Sequence, residues 1–523
     1  MSARVAVIGA GPFGLAGLKN MREAGFDAIG FERRGYVGGI WKHSQDGRIS
    51  VVPNTVFNGS RSRSAFTDFP FSETVSDYPT CDQLYDYLQD YADAFKLRDH
   101  IRLNTSVNTI RRVGGRWELE LQTVGNEDVY TEIFDKILVA TGSFQTPKYP
   151  TVPGIELFDP KHVTHSLHYT PSEDYKDKKV LLIGFHATAK VYLSRRNNLL
   201  LLRKFDDEGR PFDQTQTMVF CSVIAIFEAV CPRFFYWLLD NFMASQTKKQ
   251  FPSLKKYNNF LPAPSMATTT PVAADVLVPY IDNGFVEPIG SIRRVTGPRS
   301  VELNDGRVLD DVDRIIYCTG YHFDQPSLPT EYQPAPVHGV PPKLYRNIFS
   351  LHDDEGVRDS LAFLGQGAAF FSGFSMFEVQ SMAIAQVWKG NSKLPSYKER
   401  LAWYKANLDD FNAKHGRMTT NATHYSVLLP LGETLDFLNK TAGLGLENCG
   451  WFSAKGWSLW WNDRELYKIC RTGLFSPAIF RLFETGKRKT WNGARSQVFK
   501  DNEFAKQRAA ERRTRIAEGK KVQ

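Results

Sequence analysis

Cysteine is scarce and never paired along the chain. The six residues Cys81, Cys221, Cys231, Cys318, Cys449 and Cys470 contain no C-x-x-C, which argues against a zinc site or a dithiol redox pair and fits a reducing compartment. Long apolar runs are missing as well. The most apolar window, residues 218–243, is interrupted by Glu228, Pro232, Arg233 and Asp240, and its clean core of about ten residues is too short to span a bilayer. It reads as a buried helix. The alternative is an interfacial helix resting on a membrane surface, because Phe234, Phe235, Tyr236, Trp237, Leu238 and Leu239 follow one another. There is no repeat and no low-complexity segment. An apolar strand begins by Arg4, so the expectation is a cytoplasmic protein without a signal or transit peptide, at most peripheral to a membrane.

The body of the chain also lacks excess charge. Of the net +8, residues 487–523 account for all, with twelve Lys/Arg against four Asp/Glu. A neutral body carries no electrostatic footprint for nucleic acid, and the terminal stretch reads as a solvated helix or frayed tail. With 523 residues and 42% apolar content, the chain is long enough for two or more enzyme domains.

What is present is concentrated near the N-terminus. Val5, Ala6, Val7 and Ile8 suit a buried parallel strand, and Gly9, Gly11 and Gly14 follow at G-x-G-x-x-G spacing. Gly9 permits a tight turn, Gly11 lets backbone approach a pyrophosphate, and Gly14 lets the next helix pack close, its N-terminus toward the phosphates. Glu32 closes the second strand, placed to accept hydrogen bonds from a ribose diol. The triplet alone is a weak signal. Its sequel, Glu32 to Gly38, Gly39 and Trp41, narrows it to an FAD site, because a second glycine pair passing near the cofactor is typical of flavoproteins.

Residues 49–80 form a long irregular stretch, a kind that usually carries function. Residues 81–97 have Leu84, Leu88, Tyr91 and Phe95 at helical spacing, and 101–107, 116–123 and 131–140 read as strands. Asp135 to Gly142 ends in Ala-Thr-Gly, closing one Rossmann-like half. A second strand-then-glycine pattern starts at Lys179 and ends at Gly184, and Asp313 to Gly320 closes it with Thr319-Gly320. Residues 361–366 read as a buried strand returning to the first unit, with a helix over 377–388 behind it. The fold class expected is α/β, with two Rossmann-like dinucleotide-binding domains, the second inserted into the first. The boundaries expected are 1–169 and 319–486 for the first domain with its C-terminal extension, 170–318 for the inserted one, and 487–523 for the basic tail.

On these residues, from about 5 to 390, the chain resembles the flavin-containing monooxygenases of the dimethylaniline monooxygenase type. The shared elements are the first glycine turn, Glu32 through Trp41, Asn58 with Phe66 to Phe71, His165-Ser166 with Tyr169, and Thr319-Gly320-Tyr321. The resemblance implies FAD and NADPH as cofactors, a small-molecule substrate with dioxygen, and oxygenation of a soft nitrogen or sulfur atom through a flavin C(4a)-hydroperoxide. It makes Asn58 the catalytic residue, an uncharged donor beside the flavin that does not discharge the peroxide by proton transfer. The bland reading of Asn58 is a loop residue satisfying a turn. Cofactor contacts carry over to Gly9, Gly11, Gly14, Glu32, Gly39, Trp41, Asn58, Val107, Thr141 and Gln366 for FAD, and to Gly184, Ser194, Arg195, Arg196 and Thr319 on the NADPH side. His162, His165 and His168 show three-residue spacing, but the segment lies between Pro160 and Pro171 with no converging acids, so no metal is assigned. The resemblance makes His165 and Tyr169 part of the linker into the NADPH domain. Tyr169, where related Baeyer–Villiger enzymes have Trp, favours heteroatom oxygenation. The chain departs from the pattern in that Phe158 precedes His165 by seven residues rather than six, and Pro160 stands near the usual glycine.

The second glycine turn departs further. Only Gly184 remains of the expected three glycines, since His186 and Ala189 follow, and residues 190–196 resemble the family's next strand, whose arginine meets the NADP 2′-phosphate. Five residues cannot hold a helical crossover between parallel strands, which takes roughly a dozen or more. Either a helix is missing from the recorded sequence through a gene-model error or the phosphate-binding helix is truly lost. A different register makes 187–196 the helix and 199–203 the strand, with Arg203 at the phosphate. Three functions follow in order: heteroatom monooxygenase, Baeyer–Villiger or other carbon-oxidising enzyme, and an FAD-binding protein with impaired NADPH use. Substrate and oligomeric state leave no trace in the sequence.

Overall fold

The computed structural model describes residues 2–518 apart from 45, 170–172, 185–189, 195–198, 258–259, 261–262, 268–270, 274, 323, 335–339, 367–372 and 416–427. A strand of uninterrupted apolar residues needs cover on both faces. Arg4–Ile8 has it: Val5, Ala6 and Val7 are fully buried. This strand lies in the middle of a seven-stranded sheet, paired in parallel with Asp27–Phe31 on one side and Lys136–Val139 on the other. Ile101–Arg102 extends the sheet beyond the former, and Leu361–Phe363 extends it beyond the latter, both in parallel. The helices Pro12–Glu23 and Phe374–Trp388 pack against each other, with Leu15, Leu18, Met21, Val379 and Met382 in one core.

A second, all-parallel sheet is built only from residues 163–318. Its order is Val286–Ile289, Lys190–Ser194, Lys179–Gly184, Arg314–Cys318 and Val163–His165. Strands from before residue 140 and after residue 343 share the first sheet, so the α/β fold has two Rossmann-like units with the second inserted into the first. The chain crosses between them at Thr146–Pro147 and Tyr321–His322, and these two segments pair antiparallel.

Several local expectations change. The strands read at 101–107 and 131–140 each divide between two sheets. Asn104 adopts a left-handed φ of 52°, after which Thr105–Val113 joins Arg116–Thr123 and Val129–Phe134 in an antiparallel trio. Asp135 breaks the other, its backbone N–H and carboxylate both tied to the Arg4 backbone. The window at 218–243 is two helices, Met218–Val230 and Pro232–Gln250, whose large apolar side chains are mostly exposed, so the reading of a buried helix is corrected. Proline at the first position of the second helix starts it without losing an intrahelical bond. Strand Lys190–Ser194 pairs with Lys179–Gly184, with Lys190 opposite Lys179. The register that begins a helix at 187 is therefore not adopted, whereas residues 185–189 lie outside the described residues.

The basic C-terminal stretch is not a frayed tail. It forms the helix Ala494–Ala517, with Val498, Asn502, Ala509 and Arg512 turned inward. Arg508 and Arg512 both form ion pairs with Asp77, and Arg512 donates to the Gly209 carbonyl at 2.8 Å. Nearer the core, five charges meet, with only Glu23 substantially exposed. Lys19 Nζ contacts Asp68 and Glu378, and Arg481 contacts Glu378 at 3.1 Å and Glu23 at 2.9 Å. Burial alone raises the Glu378 carboxyl, but Lys19 and Arg481 outweigh it and hold it at about 2. Asp68 is pushed up by burial and by the charge of Glu378. Such a network favours one arrangement of its elements and is costly to break, about 3–5 kcal/mol for loss of one partner.

Candidate functional site

The C-terminal ends of the central strands open onto a cavity of about 610 Å³, where ligands of open α/β sheets bind. Gly9, at φ +103°, turns the chain there, and a Cβ on it would lie 2.8 Å from the Ala140 carbonyl oxygen. Gly11 caps the helix Pro12–Glu23, whose unpaired N–H groups face the cavity end of the strand. Gly39 lies opposite, its ideal Cβ 3.0 Å from Gly11 Cα. Two backbones without side chains thus flank one slot. Gly14 does not line the cavity; a Cβ there would sit 1.9 Å from the Gly9 carbonyl oxygen, so its absence lets helix and strand touch.

Glu32 closes the adjacent strand and is buried. One carboxylate oxygen accepts from the Ala10 N–H and the other from the Arg34 N–H, each at 2.9 Å. These bonds fix the carboxylate at the cavity wall and leave each oxygen capacity for a further donor. Arg34, which the sequence did not single out, donates to the Gly39 carbonyl at 2.9 Å and the Ile49 carbonyl at 2.7 Å. It ties the second glycine pair to the irregular stretch. Val107 and Thr141 also line the cavity, and the Thr141 hydroxyl donates to Gln325.

Part of the wall is aromatic. Trp41 meets Phe57 edge to face at 5.2 Å, Phe57 stacks on Phe374 at 5.6 Å, and Phe13 packs on Phe377 at 4.1 Å. Phe374 and Phe377 come from the returning helix and carry no sequence signal that ties them to a site 340 residues upstream. Asn58 is exposed and does not line the cavity, although its neighbour Phe57 does. Gln366 is buried, with its Oε1 unpartnered among the described residues. The ionisable side chains among the described lining residues are Glu32, Arg33 and Arg34, three in a row at one end.

This set fits an FAD: a side-chain-free slot at a helix N-terminus for the pyrophosphate, a buried carboxylate for the ribose and an aromatic chamber for the ring. On the other sheet, Gly184 ends its strand at φ +115°, a Cβ there falling 2.2 Å from the Cys318 carbonyl oxygen. Ser194 is buried and donates to the Gly290 carbonyl at 3.1 Å. Arg195 and Arg196 lie outside the described residues. Arg203 is held on the Gln250 backbone carbonyl at 2.9 Å. Thr319 donates to the Lys148 carbonyl at the crossing between the sheets.

The three histidines do not act together. His165 alone is buried, and its Nδ1 accepts from the Leu167 N–H, so its Nε2 donates to the Gly320 carbonyl at 3.2 Å. Burial lowers its pKa, keeping the ring neutral in this linker. No cluster suited to a metal occurs among the described residues. Tyr169 is buried against Tyr175.

The sequence pattern of the flavin-binding monooxygenase-like family matches residues 2–520. The chain is similar to "Monooxygenase aurF" of Gibberella zeae, 33% identical over 95% of this chain and 97% of the relative. It is also similar to "Flavin-containing monooxygenase 1" of Oryctolagus cuniculus, 28% identical over 95% and 92%. Among solved structures it resembles S-allyl-L-cysteine S-oxygenase from Allium sativum, with a TM-score of 0.58 and 19% identity over 90% of this chain and 95% of that one. The closed form of cyclohexanone monooxygenase gives a TM-score of 0.60 and 15% identity over 86% and 98%.

Proposed function

Given that the chain belongs to the flavin-binding monooxygenase-like family and is a flavin-dependent monooxygenase, we propose that it uses FAD and NADPH to oxygenate a soft nitrogen or sulfur atom of a small molecule. The observation that carries this reading is the placement of charge. Attack on a ketone carbon builds an oxyanion that a cation or a set of donors must stabilise, whereas a nitrogen or sulfur lone pair generates none on the substrate. Of the described lining residues only Glu32, Arg33 and Arg34 ionise, and they are consecutive, whereas Trp41, Phe57, Phe374 and Phe377 are uncharged.

When bound, FAD supplies the activation of dioxygen, chemistry no side chain can provide. The chain's part is to bind and to exclude water. Gly9, Gly11 and the first N–H groups of the helix Pro12–Glu23 hold the pyrophosphate, Glu32 accepts the ribose hydroxyls, and the aromatic chamber keeps water from the reacting ring. In this reading Asn58, exposed next to the cavity-lining Phe57, turns inward to donate a hydrogen bond beside the bound ring, and the strand end at Ser194, Arg195 and Arg196 receives the NADPH 2′-phosphate. The name "Dimethylaniline monooxygenase [N-oxide-forming] 2", borne by a relative from Macaca mulatta at 27% identity, points the same way.

The test is a product panel. With NADPH and dioxygen, a tertiary amine and a thioether should yield an N-oxide and a sulfoxide, while a cyclic ketone should yield no lactone. Lactone as the sole product would transfer the protein to the carbon-oxidising reading. A second reading, FAD binding with impaired NADPH use, is favoured by one observation: only five residues separate the parallel neighbours Lys179–Gly184 and Lys190–Ser194. It predicts peroxide and product only after chemical reduction of the flavin.

A further inference from the structure

The irregular stretch that carries Phe57 and Asn58 is bound to the inserted unit at three points. Ser60, which is buried, donates its backbone N–H to the Asp213 carboxylate at 2.7 Å. Arg63, 2% exposed, donates to the Gln216 side chain at 3.2 Å and to the Phe475 carbonyl at 2.7 Å. Tyr78 donates its hydroxyl to the Lys204 carbonyl at 2.5 Å, and its ring meets Phe205 edge to face at 5.2 Å. Residues 204–216 of the inserted unit, which follow its strand Leu201–Leu202, therefore make one side of a polar seam. The seam is charge-matched. Burial lowers the pKa of the Arg63 guanidinium, and the Asp213 carboxylate across the seam acts against that shift.

Three backbone bonds hold the loop around Asn58. The Phe57 N–H donates to the Pro79 carbonyl and the Arg61 N–H to the Asp77 carbonyl, each at 2.8 Å and both within the first unit. The third hold, at Ser60, comes from the inserted unit. A bond to a carboxylate is stronger than one to a carbonyl, and its loss would leave a buried N–H without an acceptor. Asn58 lies two residues from Ser60 and beside the cavity-lining Phe57, so the placement of its side chain depends on this loop. The segment that bears Asp213 is strapped in turn by the helix Ala494–Ala517. Gly209, at φ +75°, brings the chain so close to that helix that a Cβ on it would lie 2.8 Å from the Arg512 Cβ. Arg512 donates to the Gly209 carbonyl at 2.8 Å, lies 4.2 Å from the centre of the Phe205 ring and pairs with Asp77. One guanidinium thus joins the turn of the inserted unit to the residue whose carbonyl holds Arg61.

We propose that Asp213 is a positioning residue for the oxygenating site: from the inserted unit it fixes the loop 57–61 in the conformation from which Asn58 reaches the bound ring, while Arg512 keeps residues 204–216 seated. The effect on chemistry rests on the reading of Asn58 as a donor to that ring, whereas the hold on the loop does not. The arrangement links two tasks. The chamber that must exclude water is completed only while the unit that delivers the reductant is in place.

Amide hydrogen exchange of the full chain, with and without FAD, tests the hold. Asp213→Ala should speed exchange at residues 57–61 about tenfold or more, whereas Asp213→Asn, whose side-chain oxygen still accepts from Ser60, should stay within about twofold of wild type. Asp213→Ala also leaves Arg63 without its counter-charge, so Gly209→Ala supplies an independent arm. Its methyl lifts the turn from the C-terminal helix without touching residues 57–80, and exchange should rise both at 205–212 and at 57–61. Arg513→Ala, on the exposed side of the same helix, should change neither. Unchanged flavin absorbance in each variant shows that the fold is kept. For the chemistry, photochemically reduced enzyme is mixed with oxygen and a thioether, and Asp213→Ala should release more hydrogen peroxide per flavin than wild type or Asp213→Asn. The proposal is overturned if Gly209→Ala loosens 205–212 and leaves 57–61 unchanged, or if Asp213→Asn loosens the loop as much as Asp213→Ala. Faster exchange with unchanged peroxide would uphold the hold on the loop and overturn the donor role of Asn58 instead.

Discussion

Gly11 and Gly14 stand three residues apart, and a single methyl group separates their tasks. At Gly14 a Cβ would lie 1.9 Å from a backbone oxygen that cannot move without the strand, whereas at Gly11 it would meet only Gly39 Cα, at an ordinary 3.6 Å. Gly11 also has an extended backbone that any residue adopts. Gly11→Ala should therefore leave the apoprotein within about 0.5 kcal/mol of wild type yet weaken FAD binding about tenfold or more, because the methyl fills the slot facing Gly39. Gly14→Ala should destabilise the fold itself by about 3 kcal/mol or more. Denaturant midpoints of the apoproteins with flavin titrations read the two effects separately, and equal flavin affinity in Gly11→Ala would move the pyrophosphate elsewhere. Asn58→Ala should keep FAD and flavin reduction but release more hydrogen peroxide per NADPH consumed. Because Asn58 is exposed beside the cavity wall, unchanged coupling would leave it the turn residue of the bland reading.

The helix Ala494–Ala517 carries a titratable lock. Asp501 on its inner side accepts from the Ser476 hydroxyl and, at 2.7 Å, from the Gln497 side chain. Burial nonetheless pushes its carboxyl up to about 6, against 3.8 for an ordinary aspartate. A raised pKa means the folded chain prefers the protonated form, so this contribution to stability is complete below about pH 3.8 and is lost as pH rises through about 6. At neutral pH the ionised group costs on the order of 3 kcal/mol relative to the protonated one. Asp501→Asn should be more stable than wild type near pH 7.5, with the difference shrinking to nothing by about pH 4. A difference that grows toward acid would refute the sign. Elements of this kind were only partly legible in the sequence. The run at Cys81–Ala94 showed its helix because the apolar positions repeat locally, and Thr80 and Gln83 complete a capping box. The inward side of Ala494–Ala517 was hidden, because Arg508 and Arg512 are ion-paired to Asp77, more than 400 residues away, and nothing local marks a pairing partner. For the same reason the aromatic chamber was invisible: Phe374 and Phe377 reach Phe57 and Phe13 only once the sheet has formed.

At the scale of the whole molecule, the plan of two units, one inside the other, was legible because each unit opens with strand-then-glycine and closes with Thr-Gly. The short spacing after Gly184 was legible too, and the pairing of Lys179–Gly184 with Lys190–Ser194 gives it consequence. Among the described residues, no α-helix begins after Gly184 before Met218–Val230. A site without a helix N-terminus for the pyrophosphate should bind NADPH on the order of a hundredfold more weakly than one that has it. The chain should be reduced by dithionite at once and by NADPH sluggishly, and a version carrying an inserted helix with the missing glycines should recover fast reduction. Rapid reduction of the present chain at micromolar NADPH would show that the site does without that helix.

The crossing between the units has a consequence for building with this protein. Pro147 faces Tyr321 and Thr146 faces His322 across one antiparallel pair, so the chain leaves the first sheet's unit and re-enters it one strand spacing apart. A tight two-residue turn can therefore join the two ends without rethreading the chain, although residues 148–320 are anchored elsewhere too: Cys221 belongs to the first unit's core, the helix Met218–Val230 packs on Arg464–Thr472, and Arg512 holds the Gly209 carbonyl. Simple excision would uncover those faces, so a graft that exchanges the hydride-donor module at this gap has to bring matching partners for Ser60, Arg63, Tyr78 and Arg512.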